Sequence, residues 1–435
     1  MIEDMIKSNL METKLMMSYE RRKEIRKYLN YYCGMSTNQY IQEYFTGDAF
    51  NEIPPTLTNF TKKFINKISR IYTLGAKRNV GNQTEQYESL IQSKDVRMKH
   101  SERMTRLLGT VANRVYWVDG VFDYRPIYYF EVYFDDNPFK PTSIVYPLLN
   151  STADLSNTDI LQWEFWDTEK YGVMNEEGKI VSEFENPYGI IPFVFTHRED
   201  QIDSFFVEGA TDIVNCNEQV NIALTELNLG MRFNMFGQPW VNGIRSDQSL
   251  LRAGSNTILD MGEEGVYNIT SPQGNIVEAI ENIKFQMELV ALNNHLFIQF
   301  AESGGEVPSG ISLMIKDLDR KEDYYDDIAL WRMYEKDFYD VEKSIASYNG
   351  ISLPDEFGVD FYEVEYPKTV QDQILKDDFD IKNNLITRAK IMVRDNKDLS
   401  IEQAQLIIDE NRNVNEQENS DSIFDRFREQ ARQDQ

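Results

Sequence analysis

VEGATDIVNCNEQVNIALTELNLGMRFNMFG, Val207 to Gly237, decides how the rest of the chain is read. Ile213, Val220, Leu224, Leu227, Met231 and Met235 fall on one stripe at helical spacing, which predicts a long helix. The next stretch, Gln238 to Gly274, carries Gly243, Gly254, Gly262, Gly265 and Pro272. That punctuation suits short strands and turns rather than a continuous helix. A second helix is predicted over Ile276 to Ala301, where Ile276, Ile280, Ile283, Met287, Val290 and Phe297 share a stripe. Gly304, Gly305, Pro308 and Gly310 then mark a loop. Helix, compact insert, helix and glycine-rich loop is an unusual plan for an enzyme.

Upstream, the pattern predicts an α+β body over roughly residues 35 to 206, preceded by a helix to about Cys33 that Gly34 stops. Pro54 and Pro55 open a second helix with Leu57, Phe60, Phe64, Ile68 and Ile71 on its stripe and Gly75 at its end. A third helix is expected over Thr84 to Asn113, with Lys99, His100 and Arg103 exposed. From Val115 the period changes to two. Strands are expected at Val115–Val118, Tyr128–Phe134, Ser143–Tyr146, Ile160–Asp167, Tyr171–Met174 and Lys179–Phe184, with turns at Asp119-Gly120 and Asn175–Gly178.

Downstream, a long helix is predicted over Lys316 to Asn349, with Gly350 as its stop. Its apolar seam is Leu318, Tyr325, Ile328, Trp331, Tyr334, Phe338, Val341, Ile345 and Tyr348. Val359 to Tyr366 alternates as a strand expected to rejoin the earlier sheet, which would make the body discontinuous in sequence. Val370–Lys382 and Thr387–Arg394 read as helices broken at Asn383 and Asn384. Ser400 and Gln403 make a capping box for a third, Ile401 to about Asn411. Asn413 to Gln435 is polar enough to be expected frayed.

Composition narrows the function classes. The chain has 435 residues, 41% hydrophobic and 12% aromatic, which is enough to bury a sizeable core and suggests two to four domains. Its formal charge of −27 repels phosphate, so tight electrostatic binding to nucleic acid is disfavoured. A channel through which DNA slides without sticking remains compatible. Cys33 and Cys216 are the two cysteines, which fits a reducing compartment rather than a disulfide framework. Met1 to Met17 carries Glu3, Asp4, Lys7 and Glu12 and lacks the apolar run of a signal peptide. No membrane-spanning run is found, so the expectation is a protein soluble where it is made.

No catalytic or metal site is read from the chain. Tyr324-Tyr325-Asp326-Asp327 matches the Tyr-x-Asp-Asp of reverse transcriptases, but it lies in a helical pattern without a hairpin signal, so a solvated helix face is expected. The acidic runs Glu199-Asp200 and Glu263-Glu264 lack the spaced partners of a metal site, and His100, His197 and His295 are isolated. There is no phosphate-binding Gly-x-x-x-x-Gly-Lys-Ser/Thr and no Gly-x-Ser-x-Gly elbow. Cys216, on the central helix, reads as a packed thiol. No cofactor is expected.

EGATDIVNCNEQVNIALTELNLGMRFN resembles the helix of tailed-bacteriophage portal proteins, with an acidic start, a polar Cys-Asn run and a spaced apolar stripe. Asn186-Pro187-Tyr188-Gly189-Ile190-Ile191-Pro192-Phe193 is similar to the family's Gly-x-x-Pro strand leading into that helix, and Ser309-Gly310-Ile311-Ser312-Leu313 to its segment after the second helix. The similarity runs over roughly residues 51 to 415; the first fifty residues match little, and Ser312 stands where alanine is more usual. The resemblance implies a portal-like α+β fold. Residues 1–206 would be the first part of a discontinuous wing, 207–237 and 276–303 the stem, and 238–275 the clip. Residues 304–315 would be a tunnel loop, 316–366 the rest of the wing, and 367–435 the crown and tail.

The same resemblance implies a homo-oligomeric ring, usually of twelve subunits, at one vertex of a virion capsid. Double-stranded DNA would pass through it with weak, non-specific contact during packaging and ejection. Its partners would be a terminase ATPase, a head-completion or tail adaptor, and the major capsid and scaffolding proteins; no membrane is involved. The loop residues Glu306, Val307, Pro308, Ser309, Gly310, Ile311 and Ser312 would face the channel, or serve as an ordinary connector. Lys316, Arg320 and Lys321 would form a thin basic ring if they reach the lumen. Trp240, Arg245 and Tyr267 are clip docking candidates, and the two aromatics read equally well as that module's core. The alternatives are another oligomeric head–tail adaptor or scaffold-associated virion protein, and a metal-dependent nucleic-acid enzyme built on Tyr324–Asp327.

Overall fold

The computed structural model describes residues 10–45, 54–148, 162–175, 178–236, 238–242, 266–270, 276–296, 298, 318–362, 370–383, 385–396 and 399–412. The architecture is mixed α+β. Two compact units are present, one within Met1–Gly305 and Lys316–Val364, the other within Glu306–Ile315 and Glu365–Gln435.

The first unit opens with α1 (Leu10–Cys33), which Gly34 stops at a φ of 72°, and α2 (Thr37–Gln42). Then come α3 (Thr61–Ile68), β1 (Ala76–Asn79), α4 (Thr84–Leu90) and α5 (Lys94–Leu108). β2 (Thr110–Val118) and β3 (Val121–Ile127) are joined through Asp119 and Gly120 at φ 52° and 86°. Both lie in the left-handed region that a two-residue type I′ turn requires. β4 (Glu131–Tyr133), β5 (Ser143–Pro147), β6 (Gln162–Asp167), β7 (Lys170–Asn175) and β8 (Ile180–Glu185) form an antiparallel meander in that order. β9 (Phe193–His197) returns to pair with β2, so the other sheet runs β3-β2-β9.

The central part is α6 (Thr211–Phe236), the antiparallel pair β10 (Gln238–Asn242) and β11 (Val266–Thr270), and α7 (Ile276–Asn293). α8 (Leu318–Tyr348) and β12 (Gly358–Phe361) complete the unit. The second unit holds α9 (Val370–Lys382), α10 (Arg388–Asp395) and a helix over 401–412, α11. There Thr387 caps α10 by accepting the Lys390 amide, and Arg394 grips Asp377 through two bonds of 2.8 and 2.9 Å. The expected capping box is formed: Ser400 N–H donates to Gln403 Oε1 at 2.9 Å, and Gln403 N–H to Ser400 Oγ at 3.2 Å.

One core joins α1, α3, α5 and α6 to the inner face of the meander, with Tyr31, Ile65, Leu107, Phe165 and Ile213 fully or almost fully buried. A second surrounds α8, where Trp331, Phe338 and Ile345 pack on Tyr72, Tyr87, Tyr124 and Phe361. Within it, Lys94 and Glu335 form an ion pair with both side chains at zero exposure, and Lys94 also reaches Glu342 at 2.7 Å. Arg78 clamps Glu335 with bonds of 2.6 and 2.9 Å. The Tyr72, Tyr87 and Tyr124 hydroxyls donate to the same two carboxylates. Lys94, Arg78, Glu335 and Glu342 are therefore each paired, the condition under which burial is tolerable.

Several expected elements are corrected. Leu57 to Phe60 is not helical, because its amides are taken by side chains of α6; α3 begins at Thr61 and ends at Ile68. The helix expected over Thr84–Asn113 is two helices, α4 and α5, and it ends at Leu108. Gly109, at φ 83°, turns the chain so that Thr110–Asn113 join β2 and pair with β9. A Cβ at Gly109 would stand 2.0 Å from the Val207 carbonyl, so the turn needs glycine there. The arm facing β2 is Val121–Ile127, which was not expected, and it is a sheet edge, which accommodates Pro126; the strand expected at Tyr128–Phe134 is the shorter β4.

α6 begins at Thr211, not Val207. Val207 and Ala210 donate their amides to Thr110 Oγ1 and the Leu107 carbonyl, and these bonds hold the approach extended. α7 stops at Asn293, well before Ala301. His295 adopts φ 53°, and the Leu296 amide reaches back to the Ala291 carbonyl at 2.7 Å, a Schellman-type end. On α8, Tyr325 and Tyr348 are exposed and leave the seam. β12 does not join the larger sheets but pairs with β1, Ala76 opposite Phe361. β1 reads AKRN and carries no strand pattern of its own; its partner makes it a strand.

Candidate assembly and channel interface

The first half of α6 is buried on several sides. One side is apolar, as the stripe predicted. The other is a polar ladder that the apolar stripe does not reveal: Asn217, Asn221, Thr225 and Asn228 at steps of four, four and three. Asn217 Oδ1 accepts the Phe60 amide at 2.9 Å and the Thr61 amide at 3.1 Å. Asn221 Oδ1 accepts the Thr58 amide at 2.8 Å, and Thr225 Oγ1 the Thr56 amide at 3.0 Å. Asn217 and Asn221 also donate to the Thr58 carbonyl at 2.9 and 3.1 Å. The helix thus binds residues 56–61 as a sheet edge would, using side-chain amides in place of backbone ones. The spacing of those side chains is visible in the sequence, but their burial against residues 56–61 is not.

Glu218, one residue along, ties α6 to α1. It pairs with Lys27 at 2.8 Å and accepts from Tyr31 at 3.2 Å. α7 packs along α6 through Ile283, Met287 and Ala291. The Cys216 thiol is buried there, 3.8 Å from the Gln286 carbonyl, and burial pushes its pKa up to about 11. It remains a protonated, packed thiol, as expected from its place on the helix. Near the end of α7, Asn294 donates to Asp212 at 2.6 Å, which joins the start of one helix to the end of the other.

Among the described residues, nothing covers the opposite side of α7. Val277, Phe285, Leu289 and Leu292 are 63%, 57%, 43% and 67% exposed. Phe285, Leu289 and Leu292 point within about 60° of one another at 100° per residue, interleaved with Glu278, Glu281 and Glu288. α7 is thus apolar on two opposed sides, one packed on α6 and one exposed among the described residues.

A polar cleft of about 330 Å³ lies where α5, the approach to α6, the end of α7 and the start of α8 meet. Arg106, Arg198, Asp200, His295, Asp326 and Asp327 line it. Asp327 is buried and ion-paired to Arg106, which corrects the expectation of a solvated face; Asp326 beside it is exposed. Both side chains line the cleft, but the Asp327 carboxylate is taken up by Arg106 and the two are not a matched pair of ligands. Among the described residues no cluster of His, Cys, Asp and Glu is grouped to hold a metal ion.

The chain matches no family model and no curated protein.

The insert between α6 and α7 includes the expected short strands. Trp240 stands opposite Asn268, and Tyr267 opposite Val241, in the β10–β11 ladder. Arg245 lies outside the described residues, as do Glu306, Val307, Pro308, Ser309, Gly310, Ile311, Ser312 and Lys316. Arg320 and Lys321 fall in the first turns of α8. His197 is a core residue: its ring meets Thr110 Oγ1 at 3.1 Å and Gln201 Nε2 at 3.2 Å, and burial lowers its pKa to about 4. Among the described residues no helix is long and apolar enough to cross a membrane.

Proposed function

We propose that this chain is a portal protein, one subunit of a ring at a capsid vertex through which double-stranded DNA is packaged and released. The observation that carries the reading is α7. It is packed on α6 along one side and bears Val277, Phe285, Leu289 and Leu292 exposed on the other. A neighbouring copy placed by rotation would cover that side, and heterologous contacts of this kind close into rings. The order of elements supports the same reading: α6, a two-stranded insert, α7, then the long α8.

In this reading α6 and α7 are the stem and β10–β11 belongs to the clip, where a terminase ATPase and later an adaptor would dock. The α+β part of the first unit is the wing, and α9 to α11 belong to the crown. The bore would be acidic, in keeping with the net charge of −27, and DNA would pass without being held. The function is mechanical, with energy supplied by the separate ATPase. The metal-enzyme alternative gains nothing from Asp327, whose carboxylate is engaged by Arg106.

Negative-stain electron microscopy with mass photometry tests the reading. Closed rings of about a dozen copies with an axial hole are expected. A chain that stays monomeric at all concentrations, with or without scaffolding protein, would count against it.

A further inference from the structure

A second cleft, of about 390 Å³, lies away from α6 and α7, at the free edge of the five-stranded meander. Its walls are Phe134 at the end of β4, Phe139 in the following loop, and Phe205 and Phe206 ahead of α6. Phe134 and Phe205 meet edge-on with centroids 5.3 Å apart, and Phe205 meets Phe206 at 5.2 Å. Arg21 of α1 forms the floor. Its guanidinium lies 3.7 Å over the Phe206 ring, donates to the Phe130 carbonyl at 2.7 Å and pairs with Glu131. Stacked on Phe206 and paired with Glu131, that charge is offset within the cleft.

The rim differs from the walls. Phe139 is 42% exposed, so one large aromatic side chain stands open to solvent at the cleft. Asp203 lines the cleft and is exposed, and Asp135 and Asp136, exposed on the loop between Phe134 and Phe139, adjoin it in the chain. Against these acids the same loop carries one exposed cation, Lys140. An aromatic slot with an acidic mouth is complementary to a large apolar side chain flanked by basic ones.

We infer that this cleft is a docking site for a short segment of a partner protein, in which one aromatic anchor sits between lysines or arginines. The slot offers the anchor edge-to-face partners on Phe134, Phe205 and Phe206. The acidic loops draw in the flanking charges and reject acidic segments, this chain's own surface included. The site stands apart from the ring contact and holds whether or not the chain forms a ring.

The test is fluorescence anisotropy on the full-length protein with a labelled peptide of sequence GSRRWRRSG, and with the same peptide carrying Ser for Trp. The Trp peptide should bind saturably and the Ser peptide at least about ten-fold more weakly, the cost of losing an anchor. Phe139→Ser should weaken the Trp peptide by about ten-fold. Asp203→Asn should weaken it less and flatten its salt dependence. Both side chains are exposed, so both variants should melt like the parent. Asp378→Asn, exposed in the second unit, should bind as the parent does. Equal binding of the two peptides would overturn the proposal, since that is general attraction to an acidic surface. So would indifference to Phe139→Ser, or tighter binding of a peptide copied from residues 420–431, which would make the occupant this chain's own tail.

Discussion

Asn217 Nδ2 donates to the Thr58 carbonyl at 2.9 Å, across 159 residues of sequence. Through its Oδ1 the same side chain serves the amides of Phe60 and Thr61 and the Thr61 hydroxyl, all at 2.9–3.1 Å. One buried carboxamide thus satisfies four polar groups, three of them backbone. Asn217→Ala should cost about 3 kcal/mol, because a buried group left without a partner is worth about 1–3 kcal/mol and several are stranded together. Asn228→Ala, which removes one exposed bond to Thr56, should cost well under about 1 kcal/mol. Urea unfolding of the two variants decides this, and equal losses would show that the ladder is not cooperative.

The buried cluster around Glu335 makes a second expectation. Burial alone would raise its pKa, but the Lys94 and Arg78 charges, with bonds from Arg78 and Tyr72, more than reverse that and hold it below the ordinary 4.5. Removing its charge leaves Lys94 with Glu342 alone and Arg78 with Asp95 alone, both cations still buried, so Glu335→Gln should cost about 3–5 kcal/mol. The sign with pH follows from the depressed value. The contribution is complete above the unfolded carboxylate's pKa and is lost as pH falls through the lower folded one. Chemical unfolding from pH 7 to pH 3 should show a steeper acid loss in the parent than in the variant.

His197 should also make stability pH-dependent, in a different window. Its folded pKa, lowered to about 4 by burial, lies below the ordinary 6.5. Between those values the unfolded chain holds the extra proton, so stability is complete above about pH 6.5 and declines toward pH 4. His197→Gln should flatten that part of the curve while lowering the plateau. An NMR titration placing the His197 pKa near 6.5 would contradict the expectation.

Phe285 and Leu289, exposed on α7, should matter to assembly and little to the subunit. The double variant Phe285→Ser, Leu289→Ser should abolish rings in electron micrographs while its melting temperature as a monomer stays within a few degrees of the parent's. Rings that persist in the double variant would mean that another surface holds the subunits together.

Periodicity carried much of the architecture. The α8 seam through Trp331, Phe338 and Ile345 is buried as its spacing indicated, and Asp119-Gly120 makes its hairpin. The Ser400–Gln403 box also forms as its spacing indicated. What periodicity missed were contacts with distant partners. Nothing within Leu57–Phe60 says that its amides belong to α6, and nothing within Ala76–Asn79 announces a strand. Glu335 and Glu342, seven residues apart within the buried part of a helix, were the visible trace of an internal ion cluster. Their cations lie on other elements, and pairing could not be read from one segment.

Local order in this protein is set by local sequence: helices by their stripes and caps, hairpins by residues that tolerate positive φ, and strands by alternation. These are interactions within a few residues, and their chemistry is written beside them. Only the tertiary structure decided where helices give way to extended chain, as at Gly109 and Val207. It also decided which polar side chains are buried, as at Asn217, Lys94 and Glu335, and which apolar ones stay outside, as at Phe285 and Phe139. Burial depends on what the rest of the chain brings alongside, and a residue's neighbours in sequence do not determine it.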